Sequence, residues 1–387
     1  MEMQARVLGG PHAKADRVAN IGRVFANDTA FVVLMFVISR ALILTSFLAI
    51  APHLAAPING ISPVADWKIF AHWDGGWFRT IVTDGYDFTP DHKEHSIAFF
   101  PLYPLVVSAI VRLGIAFETV APLVSNALFL IMLFVVFDWI RTRHGVVVAR
   151  WTVGTLALLP TSIFGAVAYS ESLFMLTSAL ALRDFERDRP LRAGFWAALA
   201  SATRFAGIGL AAGFALDAIK RRRPARAWLS IALAPLGVVA FMAFQYASFH
   251  DPIAFIHAQN GWHKLGALSK GWWYVLKPAM IAHGHWIGVL LFVAAAIWYA
   301  RERRRLGMRG DAELGYAATA FALILAAGDP WSTERYAWAT LPCTIALAFV
   351  WQRIPALGFA TLVAGSGELV LWSVKFAQRP PGTSARE

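Results

Sequence analysis

The sequence has very little cysteine and little charge. Of its 387 residues only Cys343 is a cysteine, and only 15% are charged, against roughly 25% in soluble domains. A single cysteine excludes an intramolecular disulfide and a zinc site built on several cysteines. Hydrophobic residues make up 58% of the chain, and the mean hydropathy is +0.54. This balance excludes a soluble globular protein and predicts a polytopic membrane protein.

Signatures of nucleotide binding are also missing. There is no Walker loop, no dinucleotide-binding glycine fingerprint and no DxD motif on a loop predicted to be cytoplasmic. No internal repeat of roughly 20–50 residues is present either. These absences disfavour a cytoplasmic nucleotide-dependent enzyme and favour a single membrane domain.

The formal net charge of +11 does not indicate nucleic-acid binding. Lys and Arg are grouped in short blocks between apolar segments rather than on one continuous basic face, so no nucleic-acid partner is expected. Such blocks are typical of cytoplasmic loops in membrane proteins. The blocks cover residues 141–150, 183–192, 220–226 and 301–309.

Apolar runs of bilayer length define the predicted architecture. Runs such as 31–51 and 120–140 approach or exceed the ~18–20 apolar residues that cross a bilayer. We predict an all-α membrane protein with about 9–11 transmembrane helices, some of them short or broken. The first run is too long for a signal-peptide core, so we expect it to be retained. The predicted regions are a cytoplasmic segment at 1–30, one membrane domain at 31–375 with a large first extracytoplasmic loop at 52–98, and a polar tail at 376–387.

Several apolar segments are irregular. The run 99–117 begins with two prolines near the outer surface and is interrupted by Arg112, so whether it crosses the membrane stays open. Pro160 breaks or kinks another run, and the run 173–182 covers only about half of the hydrocarbon core. Residues 193–219 have basic flanks on both sides, which implies two short segments that meet at Arg204 in the outer half of the membrane. The polar motifs of the chain therefore fall on the outer side.

One polar stretch, 65–104, differs from all the others because it combines carboxylates with aromatic residues. Carboxylates among aromatic rings suit sugar binding, since a ring can stack on a pyranose while a carboxylate accepts a hydroxyl proton; interfacial aromatics of a connecting loop are the alternative. Asp74 lies between Trp73 and two glycines, which permit close approach of a ligand. It is a candidate general base, with Trp73 or Trp77 as a platform, or else a helix cap. Asp66 is the second candidate and is better explained as a cap.

Histidines in the same stretch raise the question of a metal site. His92 and His95, with Asp91 or Glu94, have the right side-chain types, but no HExxH helix and no cysteine partner supports them. Solvated loop histidines are favoured. No metal site and no cofactor are predicted, and a divalent cation is not indicated.

Charged residues elsewhere on the outer side complete the candidate site. Glu171 can accept hydrogen bonds from a ligand hydroxyl or form a buried ion pair. Arg204 and Arg335 are candidate phosphate contacts, because a guanidinium matches two phosphate oxygens at once; for Arg335 a local pair with an acidic neighbour is the alternative. A charge such as Arg40 within a span costs roughly 2.5–3.5 kcal/mol and should face the bundle interior or reach the membrane surface. Asp251, which precedes a proline, is most simply a helix cap.

The motifs resemble those of a known family. WDGGWFRTIVTDGYDF followed by AFFPLYPLV is similar to the first-loop signature of the PIG-V family, the GPI mannosyltransferase 2 type enzymes and their bacterial relatives. AYSESLF, ATRFAGIGL, SFHDPIAFIHAQNGW and STERYAWATLP follow in the same order, so the resemblance covers about residues 40–342. The chain departs from the pattern at Phe205, where proline is common.

The resemblance implies a GT-C type membrane glycosyltransferase that takes mannose from a polyprenyl- or dolichyl-phosphate donor with inversion. Asp74 matches the expected catalytic base. Tyr86, Tyr103, Glu171, Arg204 and Arg335 also match positions of the family pattern. Together with the candidates read from the residues themselves, the predicted substrate-binding residues are Trp73, Trp77, Tyr86, Tyr103, Glu171, Arg204, Glu334, Arg335 and Tyr336, with Asp66, Arg40, Asp251 and Trp262 as second candidates.

The sequence thus favours a hexosyltransferase that acts on the outer side of a membrane. Its expected partners are a polyprenyl-phosphate sugar donor, membrane lipid and a glycolipid, glycan or protein acceptor. A bacterial inner membrane is the favoured location, or the endoplasmic reticulum for a eukaryotic source. The alternative is a secondary transporter or lipid-handling protein, which also uses broken helices and intramembrane arginines. That alternative predicts an inverted repeat, and none is evident.

Overall fold

The structure, a computed structural model, describes residues 11–58, 60–262, 293–301, 304, 310–327 and 332–379. Within these residues it contains helices and turns but no strand, which confirms the predicted all-α class. Parts of the predicted membrane domain 31–375 lie outside the described residues. They are residues 59, 263–292, 302–303, 305–309 and 328–331, and they include most of the basic block 301–309.

The helices are numbered here in chain order, and the helical stretch at 293–301 carries no number. They are α1 Pro11–Thr45, α2 Asp74–Thr83, α3 Leu102–Val111, α4 Phe117–His144, α5 Val146–Leu158, α6 Glu171–Glu186, α7 Pro190–Thr203, α8 Gly209–Lys220, α9 Ala227–Leu233, α10 Leu236–Phe249, α11 Ala254–His257, α12 Asp311–Ala327, α13 Thr333–Ala339, α14 Leu341–Arg353 and α15 Pro355–Ala377.

Four helical segments of the described chain are long and apolar enough to cross a membrane, which agrees with a polytopic membrane protein. They are Asn27–His53, Phe117–His144, Ala227–Phe249 and Pro355–Ala377. The first begins about one turn before the predicted run 31–51, and α1 itself begins at Pro11, so part of the predicted segment 1–30 is helical. The third consists of α9 and α10, which meet at Pro235.

The irregular segments lie where the sequence places them. Helix α3 has 10 residues and ends before Arg112, and at 1.5 Å per residue it is about 15 Å long, too short to cross the bilayer. Pro160 follows the end of α5 and starts a 3₁₀ turn that runs to Gly165. Arg204 separates α7 from α8 in extended backbone, with φ −154° and ψ 145°. Each break leaves polar backbone and side chains near one end of the bundle.

The core lies around α4, α5, α6 and α14, which pack on one another along most of their length. Its largest fully buried side chains include Phe129, Phe174 and Trp338. At one end of this core, α2, the start of α6, the Arg204 break and α13 come together. Helix α15 packs beside α1 and the 3₁₀ turn and reaches the same end of the molecule. The candidate site lies there.

Candidate active site

An ion pair between distant parts of the chain lies at the centre of the site. Asp74 is the first residue of α2, and Arg335 lies in α13, 261 positions later. Nη1 of Arg335 donates to Oδ2 of Asp74 at 2.6 Å. The Arg335 side chain is only 9% exposed, whereas that of Asp74 is 31% exposed. The carboxylate therefore stands between a buried cation and an accessible space.

Glu171 connects this pair to a second arginine. It is the first residue of α6, and its side chain is fully buried. Its Oε1 lies 3.3 Å from Nε of Arg335 and accepts a hydrogen bond from Nη1 of Arg204 at 2.5 Å. Arg204 also donates to Oγ of Ser170 at 3.3 Å. We call Asp74, Glu171, Arg204 and Arg335 the site network; it pairs two carboxylates with two guanidinium groups.

Aromatic rings surround the guanidinium of Arg335. Its central carbon lies 5.2 Å from the ring centre of Phe164, 5.3 Å from that of Tyr169 and 5.1 Å from that of Tyr336. The ring of Tyr336 also lies 4.9 Å from the guanidinium of Arg204, and such cation–π contacts stabilise a desolvated cation. Burial by itself lowers the pKa of Arg335, but the charges of its carboxylate and tyrosine neighbours raise that pKa well above its usual range. Arg335 is therefore a permanent cation at the base of the site.

Tyr169 links the network to the core beneath it. Its hydroxyl oxygen accepts a hydrogen bond from the backbone N–H of Asp74 at 3.2 Å. Its own carbonyl accepts from Oγ of Ser125 at 3.1 Å, and Ser125 in turn hydrogen-bonds the hydroxyl of Tyr103 at 2.8 Å. Tyr103 is fully buried, so the structure places this predicted substrate-binding residue below the site, where it supports Tyr169.

Two carboxylate oxygens of the site network lack a hydrogen-bond partner among the described residues. Oδ1 of Asp74 has none, although Oδ2 is held by Arg335. Oε2 of Glu171 has none either, and it is buried. There is also free space close to Asp74: a Cβ atom added to Gly76 would have no other atom within 4 Å. The site thus offers a fixed carboxylate with one open acceptor position and room next to it.

Trp73, which precedes Asp74, has an unusual backbone conformation. Its φ is 59° and its ψ is −125°, outside the regions that non-glycine residues normally occupy. Such conformations cost of order 1–3 kcal/mol and persist only where the surroundings hold them. Here Nε1 of Trp73 donates to the carbonyl of Phe376 at 3.2 Å, and the two rings stack with their centres 6.0 Å apart. Through these two contacts Phe376 holds Trp73 in its conformation and thereby fixes the position of Asp74.

Trp77 and Tyr86 lie apart from the site network. Trp77 stacks on Phe99, with ring centres 6.0 Å apart. The hydroxyl of Tyr86 donates to the carbonyl of Phe99 at 2.9 Å, and its ring packs against Phe241. Both residues therefore contact the segment that precedes α3, and Tyr86 also joins the first loop to α10. Their predicted contact with substrate stays a prediction.

Two of the second candidates cap helical turns. Oδ1 of Asp66 accepts from the backbone N–H of Lys68 at the start of the turn Trp67–Ala71, as the sequence suggests. Oδ1 of Asp251 accepts from the N–H of Ile253. Trp262 ends the turn Ala258–Trp262, and its side chain lies outside the described residues. Glu334 lies in the first turn of α13, beside Arg335.

Arg40 faces the interior of the bundle. Its guanidinium donates to Oδ1 of Asn126 at 3.1 Å and to Oγ of Ser162 at 3.0 Å, and it lies 4.4 Å from the ring centre of Phe129. These contacts join α1 to α4 and to the Pro160 turn. They give Arg40 a structural explanation and place it outside the site network.

His95 lies in the first loop between two carboxylates. Its Nδ1 is 2.7 Å from Oδ2 of Asp87, and its Nε2 is 2.8 Å from Oδ1 of Asp91. Within the described parts of the chain, no three His, Cys, Asp or Glu side chains are grouped as metal ligands. The cluster is a hydrogen-bonded clamp that closes the turn between residues 87 and 96.

Sequence reasoning missed Tyr169, Phe164 and Phe376 as parts of the site. Tyr169 lies in the AYSES motif, and a tyrosine beside a buried glutamate at an outer helix end is a signal that could have identified it. Phe164 lies in an apolar run and Phe376 at the start of the predicted polar tail, and neither carries a signal of its own, because they contribute only ring faces and a backbone carbonyl.

Solved structures with similar folds define the class of protein. The undecaprenyl-phosphate-bound ArnT of Cupriavidus metallidurans matches with a TM-score of 0.54 and 15% identity over 87% of this chain and 63% of ArnT. The apo form of the Archaeoglobus fulgidus oligosaccharyltransferase also matches with a TM-score of 0.54, at 12% identity, over 92% of this chain and 57% of that protein. The chain therefore has the predicted GT-C fold of polytopic membrane glycosyltransferases.

The family follows from the sequence itself. A model of the mannosyltransferase (PIG-V) family matches residues 31–250, which is more than half of the chain. The protein belongs to the PIG-V mannosyltransferase family, as the motifs predict.

Curated relatives agree over a shorter length. The chain is similar to GPI alpha-1,6-mannosyltransferase 2 of Rattus norvegicus, with 29% identity over 181 residues, 43% of this chain and 36% of the relative. The same enzyme of Cricetulus griseus is 33% identical over 160 residues, 38% of this chain and 31% of the relative. These alignments thus span about a third of the length of the relatives.

Proposed function

We propose that the protein is an inverting membrane mannosyltransferase that uses a polyprenyl-phosphate mannose donor. The observation that carries the proposal is the site network, in which an accessible carboxylate is fixed by one buried arginine from a distant helix and a second arginine lies close by, at one end of the bundle. Family membership supports the sugar and the class of reaction. The undecaprenyl phosphate bound to ArnT supports a lipid-linked donor.

The proposed reaction needs one base and one group to receive the leaving phosphate. The acceptor hydroxyl gives its proton to Oδ1 of Asp74, and its oxygen forms a bond to the anomeric carbon of mannose. The bond between that carbon and the phosphate oxygen breaks, and its electron pair leaves with the lipid phosphate. Attack from the face opposite the leaving group inverts the anomeric carbon. Asp74 suits the base because Arg335 holds only its other oxygen.

The arginines of the site network suit the leaving phosphate. Arg204 keeps 19% of its side chain exposed, so it can contact a ligand directly, while Arg335 is more deeply buried. Charges that are already fixed in place commonly stabilise a transition state by a few kcal/mol. Glu171 is fully buried and contacts both arginines, which makes it a positioning residue for the two cations.

The location and the acceptor form the finer part of the proposal. The positive-inside pattern puts the site on the extracytoplasmic side, where lipid-linked sugars are the available donors. We assign the protein to a bacterial inner membrane and its acceptor to the hydroxyls of a glycolipid, glycan or protein. The gathering of polar residues at one end of the bundle favours catalysis there over transport, which needs a site near the membrane midplane.

The direct test is mannose transfer in proteoliposomes. The purified protein is supplied with radiolabelled polyprenyl-phosphate mannose, and the label is followed in separate lipid, glycan and protein fractions. The wild type is expected to move label from the donor to one of these fractions. Label that stays on the donor under all acceptor conditions would contradict the proposal.

Asp74→Asn tests the base. Asparagine keeps the shape and can still accept from Arg335, but it cannot take a proton, so transfer should fall by about 10²- to 10⁴-fold. Asp66→Asn is the matched control, because Asp66 lies in the same loop and caps a turn; it should retain most activity. An Asp74→Asn variant with full activity would reassign the base, first to Asp66, and leave the transferase proposal standing.

A further inference from the structure

The end of α15 is fastened to the first loop beside Asp74. The carbonyl of Phe376 accepts from Trp73, and the carbonyl of Gln378 accepts from the N–H of Ile61 at 2.7 Å. The side-chain amide of Gln378 donates in return to the carbonyl of Ala55 at 3.1 Å. Three contacts within three residues thus fix the position of the chain that follows the last candidate span.

Arg379 comes next, and its guanidinium lies 4.6 Å from the ring centre of Trp73. No carboxylate oxygen of the described residues lies within 4.0 Å of it. Partial burial lowers the pKa of Arg379, and no neighbouring charge offsets this shift. Arg379 is therefore a partly desolvated cation without a counter-ion among the described residues, and it contacts Trp73, the residue that precedes the proposed base.

The charge balance of the site network gives this cation a purpose. The charges of Asp74 and Glu171 cancel those of Arg204 and Arg335, so the network is neutral as a whole. A phosphate that enters it adds negative charge, so the network with its ligand carries a net negative charge even when Arg204 contacts the phosphate. Arg379 offsets that charge from the neighbouring position on Trp73.

We propose that Arg379, stacked on Trp73, is part of the binding site for the phosphate of a lipid-linked ligand. The proposal rests on the proposed function, because it takes that ligand to be the polyprenyl-phosphate donor. A lipid is favoured over a free phosphate, since Arg379 directly follows a segment long and apolar enough to cross the membrane. Arg379 therefore lies where a lipid headgroup would reach the site. It also lies outside residues 31–250, the region that the family model matches.

Direct binding tests the proposal without any transfer step. Radiolabelled undecaprenyl phosphate is titrated into the full-length protein in phosphatidylcholine nanodiscs, with undecaprenol and inorganic phosphate as competitors. Loss of a hydrogen bond to a charged group typically weakens binding by about 10- to 100-fold. We expect Arg379→Met to weaken binding of undecaprenyl phosphate at the lower end of this range, about 10-fold, because Arg379 is only partly buried.

Matched variants separate the charge from the packing. Methionine keeps an apolar stem on Trp73 and loses the charge, whereas Arg379→Lys keeps the charge but loses the stacked guanidinium, so it should weaken binding clearly less than Arg379→Met does. Lys375→Gln removes an exposed cation one turn earlier in α15 and should bind as the wild type does. Thermal unfolding of each variant shows whether the fold is kept.

Each outcome decides between the two proposals. Equal binding by the wild type and a folded Arg379→Met overturns the role of Arg379 and leaves the proposed function intact. Equal weakening by Arg379→Lys and Arg379→Met also overturns it, because the charge would then not matter. Displacement of the lipid by inorganic phosphate as effectively as by unlabelled lipid overturns the lipid source. A wild type that binds no undecaprenyl phosphate contradicts the proposed function and this inference together.

Discussion

Arg335 and Arg221 each bridge two carboxylates, and they do so at opposite ends of the bundle. Arg335 contacts Asp74 through Nη1 and Glu171 through Nε. Arg221, at the end of α8, contacts Asp217 through Nε at 2.8 Å and Asp311 through Nη2 at 3.1 Å. The local geometry is nearly the same, and in both places the bridge joins elements that are far apart in sequence.

The difference lies in the remaining oxygens. At the Arg221 end, the second oxygen of Asp217 accepts from Arg223, and that of Asp311 contacts Lys220. Three cations thus occupy all four oxygens there. In the site network, two of the four oxygens lack a partner among the described residues. A saturated bridge can only hold helices together, whereas an unsaturated one still has positions for a ligand.

Among the changes that test this comparison of the two bridges, replacing the bridging arginine of the site should have the largest effect. In Arg335→Lys the charge remains, but a single ammonium group cannot reproduce the contacts of the fork with both carboxylates. We expect transfer to fall by about 10- to 100-fold, the loss typical of one charge-assisted hydrogen bond. The measurement is the proteoliposome assay, and a wild-type rate would show that the bridge is not needed for transfer.

Arg221→Lys is the control for this comparison. It makes the same chemical change in a bridge of the same geometry, so any loss of stability should be similar. Its transfer rate per folded molecule should equal that of the wild type. A loss as large as that of Arg335→Lys would remove the functional distinction between the two ends.

A second prediction concerns stability. Glu171→Gln leaves two arginines without their shared buried counter-ion, which should reduce the free energy of unfolding by about 3–5 kcal/mol. Asp217→Asn removes a carboxylate that is also almost fully buried and should cost a similar amount. Thermal and denaturant unfolding in detergent measure both. Only Glu171→Gln should also reduce the rate of mannose transfer per folded molecule. An equal reduction in Asp217→Asn would show that Glu171 does not act specifically on the site.

The smallest effect concerns a third bridge, in which His95 joins Asp87 and Asp91. Burial by itself lowers the pKa of His95, but hydrogen bonds and charge attraction from the two aspartates outweigh this effect and raise it above 6.5. The hydrogen bond from His95 also lowers the pKa of Asp91 to about 2. Because the pKa of His95 is raised in the folded protein, its stabilising effect is complete below pH 6.5, the ordinary histidine value. The effect is lost as the pH rises through the raised pKa. The lowered pKa of Asp91 gives stability that is present above 3.8 and is lost toward pH 2.

The clamp should therefore hold best between about pH 4 and 6.5 and loosen above that range. Hydrogen exchange at the amides of Asp87 and Ser96, corrected for the intrinsic rate, measures this. We expect protection to decrease by no more than about fivefold from pH 6 to 8.5, since the aspartates are partly exposed. His95→Gln should abolish the pH dependence, and constant protection in the wild type would contradict the prediction.

Much of the fold could be predicted from the sequence because its signals are local. Equal basic flanks around 193–219 predicted the break at Arg204, and Pro160 marked the end of α5. The length of α3 could not be read, since the apolar run continues on both sides of Arg112; the helix ends three residues before Gly114, whose φ is 87°. The sequence also placed Arg335 in a loop, because the polar residues before it hid the start of α13.

The site was predictable in its members but not in its connections. Asp74, Glu171, Arg204 and Arg335 are each visible as polar residues in outer motifs. The contact of Arg335 with both Asp74 and Glu171 depends on how distant helices pack. No local sequence pattern encodes this packing, which brings together residues 261 positions apart. The contribution of Phe376 was even less visible, because it acts through a backbone carbonyl.

The hydrogen bond from Trp73 to Phe376, which closes 303 positions of chain, also has a meaning for biosynthesis. A ribosome adds roughly 5–20 residues per second, so the first loop is translocated on the order of 15–60 s before its last support is made. During this interval no partner holds Trp73 in its strained conformation, and Asp74 has not yet met Arg335. In the nascent chain the proposed base is therefore not yet held by its partners. Insertion of α15 is the step that completes the site for the proposed transfer reaction.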